Sequence, residues 1–139
     1  MIDERRVIAG IPVRIVTRTT APRGSVLFYH GFMSSIDQQS NELISLAENH
    51  YIAIGVDAVG HGHRRTTDFE RRFSRENPNH EENYRQLLKE CIAEIPSLID
   101  ALLEERLIKL DSIALAGISM GGYICFGACL AEPRIKVLL

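Results

Sequence analysis

The residues Gly117-Ile118-Ser119-Met120-Gly121 have the form G-x-S-x-G, a spacing that lets a serine project from a tight turn between a strand and a helix. A serine that attacks a carbonyl must stand clear of the backbone on a strained turn, and small residues two positions away let the flanking elements pass closely. The preceding run, 113–116, reads as a short buried strand. The following run, about 120–130, reads as a helix stopped by Glu132-Pro133, with Gly122 as a further small residue. That context favours a nucleophile over a plain glycine-flanked turn, and the helix N-terminus offers the Met120 N–H and a positive dipole end to a developing oxyanion.

Two other turns point to the same place. Tyr29-His30-Gly31-Phe32 follows the apolar strand 25–29, and ligands of open parallel sheets sit at the carboxyl ends of strands. Gly31 would let the backbone approach a substrate, with the Phe32 N–H as a second oxyanion donor beside that of Met120. Asp57-Ala58-Val59-Gly60-His61-Gly62-His63-Arg64 follows another strand, 52–57. His61 and His63 superficially suggest a metal pair, but no third ligand at suitable spacing completes it, so a structural turn and no metal are expected.

Elements that could hold these turns alternate along the chain. Segments 5–9 and 13–17, around Gly10-Ile11-Pro12, read as two antiparallel strands. Ser35-Ile36-Asp37-Gln38 has capping-box spacing, and Leu43, Leu46 and Ala47 give an apolar face to a helix over about 37–48. Residues 60–85 are polar, without an apolar period, and read as loop or surface excursion. Their arginines, Arg64, Arg65, Arg71, Arg72 and Arg75, are interleaved with acids and are expected to pair on the surface. A strong apolar stripe over 82–105 predicts a helix, kinked or divided at Pro96. A final strand is expected at 134–139. Short apolar runs alternating with helices define an α/β protein with a mostly parallel sheet.

Composition sets the remaining bounds. With 139 residues, 16 Lys plus Arg against 18 Asp plus Glu and a net charge of −2, the chain suits one domain and has no basic excess for nucleic acid. No charge falls between Asp111 and Glu132. Glycines interrupt that stretch, however, and a buried strand plus a buried helix is expected instead of a membrane span. The start of the chain has no readable secretory signal, so a cytoplasmic location is expected. Cys91, Cys125 and Cys129 read as reduced, buried thiols.

On these motifs the sequence resembles the α/β-hydrolase superfamily, and within it the serine esterases of the dienelactone hydrolase and prolyl-oligopeptidase-like branch. The likeness covers nearly the whole chain: the paired N-terminal strands, Tyr29-His30-Gly31-Phe32, the Asp57-x-x-Gly60-His61-Gly62 turn and Gly117 to Gly122. It implies a doubly wound sheet, Ser119 as the nucleophile, and the Phe32 and Met120 N–H groups as the oxyanion hole. Gly117, Gly121, Gly122, His30 and Gly31 are implied to shape the elbow and its facing loop, and His61 another turn, with neither histidine as the catalytic base. The implied reaction cleaves a carboxylic ester, or a related acyl bond, of a small molecule through an acyl-serine, with no metal or organic cofactor. Peptidase, thioesterase or acyltransferase chemistry on the same turn stays open, as does a non-catalytic module whose last strand pairs with a partner.

In this fold the acid and the histidine follow the serine. The 20 residues after Ser119 contain Glu132 and no histidine, and Glu132 at the helix end lies too early for the acid. The expectation is one incomplete domain over 1–139, the N-terminal half of such a hydrolase, cut after the strand that follows the elbow helix. Alone it would be inactive, and its exposed last strand would be covered by further sequence, a second copy or a partner chain.

Overall fold

A computed structural model describes residues 1–139. Six strands form one sheet: β1 (Ile2–Ile8), β2 (Ile11–Thr17), β3 (Ser25–Tyr29), β4 (Ile52–Val56), β5 (Ile113–Gly117) and β6 (Ile135–Leu138), in spatial order β1-β2-β4-β3-β5-β6. β1 and β2 pair antiparallel, as do β2 and β4, whereas β4, β3, β5 and β6 run parallel. The hairpin turns on Ala9 and Gly10, both at positive φ (51° and 76°). Ile11 and Pro12 thus belong to the second strand, in a two-residue turn whose twist matches that of the strands.

Helices cover both faces: α1 (Ser40–Glu48) on one, and α3 (His80–Glu104) with α4 (Met120–Ala131) on the other, with the short α2 (Phe69–Phe73) packed against α3. The period of two along each strand divides the core accordingly. Val26 and Phe28 of β3 join Leu43 and Ala47 of α1. Leu27 and Tyr29 join Leu87, Ile95, Leu98 and Ile124 in the larger cluster beneath α3 and α4.

Three expectations are corrected. The helix expected over 37–48 is a 3-10 turn, Ile36–Gln39, followed by α1, and the Ser35 side chain makes no capping bond. The Asp57 carboxylate, arriving from the end of β4, accepts the Ile36 N–H instead at 3.0 Å. The segment 60–85 is not featureless: it contains α2 and the start of α3, and buries Phe69. Of the two outcomes expected at Pro96, a kink or a division, the division is excluded, for α3 runs unbroken through 25 residues with Pro96 on its exposed side.

No helix is long and apolar enough to cross a membrane. All three cysteines are free. Cys91 accepts the Val59 N–H and Cys125 donates to the Ala116 carbonyl. Burial pushes each of those two thiols up to about 12, so both are inert packing groups.

Candidate active site

Register brings the three turns together. Tyr29, the last residue of β3, is level with Val56 on β4 and with Gly117 on β5. The loops that begin at His30, Asp57 and Ile118 therefore open at one edge of the sheet. The chain leaves β3 for β4 on one side and later returns to β5 on the other, which makes β3 the switch point where open α/β sheets place ligands.

Ser119 joins β5 to α4 with φ 52° and ψ −112°, a left-handed conformation that a side-chain-bearing residue adopts only at a cost of roughly 1–3 kcal/mol. The residue is exposed. The turn is closed by hydrogen bonds from Gly121 N–H to Ile118 C=O (2.9 Å) and from Tyr123 N–H to Ser119 C=O (3.2 Å). A third, from Ile118 N–H to Tyr29 C=O (3.1 Å), ties it to β3.

Two glycines make this closeness possible. A Cβ on Gly121 would lie 2.1 Å from the Tyr29 carbonyl oxygen, and one on Gly117 would lie 2.3 Å from the Gly121 carbonyl carbon. Gly122 differs, since its nearest neighbour would be the Gly117 oxygen at 3.7 Å, an ordinary contact. Its small size is not needed for packing within this chain. A Cβ on Gly31 would be 3.8 Å from the Ser119 Cβ, which sets the His30-Gly31-Phe32 turn directly against the serine. The Phe32 N–H donates to no backbone carbonyl, and Met120, first in its helix, has an N–H outside the intrahelical ladder.

The histidines are framework. His30 Nε2 accepts the Ala58 N–H (3.1 Å) while its Nδ1–H donates to the Gly31 carbonyl (2.8 Å). His61 repeats the pattern, accepting the Met33 N–H at Nε2 (3.1 Å) and donating from Nδ1 to Val59 (3.0 Å). Both nitrogens of each ring are thus engaged, and burial lowers both pKa values, keeping the rings neutral. His63 diverges from His61 towards Asp37, 3.4 Å away. Asp57 ties two loops together, since Oδ2 accepts the His63 N–H (3.1 Å) while Oδ1 holds Ile36. Glu132, at the far end of α4, is bound twice by Arg134 at 2.8 Å. That guanidinium holds its carboxyl below the usual range, a structural ion pair remote from Ser119.

Among the arginines, Arg64 forms a half-buried bidentate pair with Glu94 on α3 (2.6 and 2.9 Å), so it serves packing between elements. Arg65 pairs with Glu70 and Arg71 with Asp68 locally.

The sequence reading missed an aromatic cluster behind the turn. Phe32 stacks on Phe69 at 5.8 Å and meets Phe73 and Tyr84 edge-on, both at 5.4 Å. The signal available was Phe69 and Phe73 four residues apart, one helical turn, inside an otherwise polar segment. Burial first, and neighbouring Tyr123 second, raise the Tyr84 hydroxyl pKa.

A mostly parallel sheet with helices on both faces and a strained serine at the carboxyl end of a central strand defines the α/β-hydrolase class. Residues 20–139 match the family described as Serine aminopeptidase, S33, and the chain belongs to that family. It is 32% identical over 136 residues to Esterase YjfP of Escherichia coli (strain K12) and, likewise 32% over 136, to Putative esterase YitV of Bacillus subtilis (strain 168). Both alignments cover 96% of this chain and 51% of the relative, so the chain spans about half the length of the curated relatives it matches. The crystal structure of TT1662 from Thermus thermophilus shares the fold, with a TM-score of 0.72 and 23% identity over 88% of this chain and 48% of that one.

Proposed function

We propose that this chain carries the nucleophile and oxyanion-binding half of a serine esterase. The Ser119 Oγ attacks the ester carbonyl carbon, its proton passes to a base, and the carbonyl oxygen becomes an oxyanion held by the Phe32 and Met120 N–H groups. Collapse expels the alcohol and leaves an acyl-serine, which water hydrolyses to the acid and free serine. The observation that carries this reading is the exposed Ser119 at φ 52° with the Gly31 turn against it. Two relatives that bear esterase names support the choice of ester over other acyl bonds.

His30 and His61 have no nitrogen free to take the serine proton, and the order of the triad in this class puts the acid and the histidine after the serine. The 139 residues alone are therefore expected to be all but inactive. Serine proteases that lack a triad member retain only about 10³–10⁴-fold catalysis over water.

The test is labelling of the complete gene product with a fluorophosphonate, followed by peptide mapping. The expected adduct lies on Ser119 and disappears in Ser119→Ala, whereas no adduct in the wild type overturns the nucleophile. The description of the matched family favours a second reading, an amide substrate. Faster cleavage of amino-acid 4-nitroanilides than of 4-nitrophenyl esters would select it.

A further inference from the structure

A recess of about 330 Å³ is lined by Phe32, Phe73, His80, Glu81, Tyr84 and Arg85. Its walls come from three separate parts of the chain: the oxyanion turn, the end of α2 and the first turns of α3. Its position relative to the chemistry follows from the chain itself: Gly31, bonded to Phe32, stands against Ser119.

One wall is aromatic (Phe32, Phe73, Tyr84) and the rest is polar (His80, Glu81, Arg85). Phe69, fully buried, stacks behind Phe32 at 5.8 Å and meets Phe73 at 4.8 Å, while the Arg65 guanidinium covers its ring at 4.1 Å. The half-buried rings of Phe73 and Tyr84 each meet Phe32 edge-on, the arrangement a further aromatic ring would extend. At the rim Arg85 is engaged by Glu81 and Glu82 (3.5 and 3.4 Å), and the Arg72 guanidinium lies over the Phe73 ring at 5.1 Å. A cavity of roughly 150 Å³ already admits benzene, and this recess has room for one phenyl ring and its linker.

We propose that this recess receives the acyl side chain of the substrate, and that Phe32, Phe73 and Tyr84 set a preference for an uncharged, phenyl-sized acyl group. The inference rests on the serine-esterase reading above. The segment 69–85, where the chain departs from plain loop into α2 and α3, is then the specificity element of the enzyme, while Ser119 and its turn supply the chemistry.

The experiment uses the complete gene product and three 4-nitrophenyl esters with one leaving group: acetate, butyrate and phenylacetate. The expected kcat/KM for phenylacetate exceeds that for acetate by about 10-fold or more, and Tyr84→Ala and Phe73→Ala each lower this ratio by about 10-fold. Tyr84→Trp fills the recess and lowers the ratio as well. Fluorophosphonate labelling of each variant establishes that its site is assembled. A wild-type ratio near one, or a ratio that stays constant across the variants while acetate is turned over, overturns the recess and leaves the esterase reading standing. A wild type that neither labels nor hydrolyses any ester overturns the esterase reading, and the recess with it.

Discussion

At the scale of single residues, two buried histidines with both ring nitrogens engaged stand behind one exposed and strained serine. His30 and His61 shape two turns by accepting an N–H at one nitrogen and donating to a carbonyl from the other, an arrangement open only to the neutral ring. Their depressed pKa values make folding sensitive to acid. In the window from their ordinary value of 6.5 down to the lower folded-state values, the unfolded chain binds more protons than the folded one, so stability falls as pH falls. Above 6.5 that contribution is fully present. Urea unfolding at pH 7.5 and pH 5.5 should show a lower midpoint at the acidic value, with a smaller difference in His61→Asn, whose amide oxygen can still accept the Met33 N–H. An equal difference in both proteins would remove His61 from the account.

At the scale of elements, the contact between α4 and the end of β3 decides whether the elbow forms. A methyl group on Gly121 would drive into the Tyr29 carbonyl at 2.1 Å, backbone that cannot yield without moving β3, so Gly121→Ala should destabilise by about 1–3 kcal/mol and abolish labelling. Gly122→Ala meets only ordinary contact and should be neutral or stabilising by up to about 1 kcal/mol, from helix propensity. Thermal denaturation of the two variants separates crowding from propensity. Phe69→Ala, which opens a cavity under Phe32, should cost about 3–5 kcal/mol by the same measurement. What was legible in the sequence follows from the same physics. The strands that hold the turns are short, mostly buried runs, and the glycines around Ser119 announce a close approach whose partner, the Tyr29 carbonyl, is 92 positions earlier in the chain and appears only on folding. Phe69 and Phe73 were hidden because a five-residue helix offers one apolar pair and no repeat. The cap on Ile36 was hidden because its acceptor, Asp57, belongs to another element.

At the scale of the whole molecule, the helix that follows Ser119 has two unlike faces. Met120, Ile124, Cys125 and Ala128 are buried, whereas Tyr123, Phe126 and Leu130 on the other side are 66, 61 and 80% exposed. Beside them β6 forms one margin of the sheet, with Val137 and Leu138 exposed and no strand on its outer side. An open edge next to a contiguous apolar face is a template for pairing with another chain, and stable proteins keep such edges short, charged or covered. Lys136 is the only charge on the strand, too little to deter pairing. Expressed as these 139 residues, the chain should therefore self-associate, and sedimentation velocity should show a mass that rises with concentration above 15.6 kDa. The double variant Leu130→Glu, Val137→Lys places a charge on each exposed surface without touching the buried side of α4 or the turn at Ser119, and should restore the monomer. A wild-type chain that stays monomeric across the concentration range would mean that these surfaces are tolerated in water, and would remove the physical ground for expecting a covering segment or partner over α4 and β6.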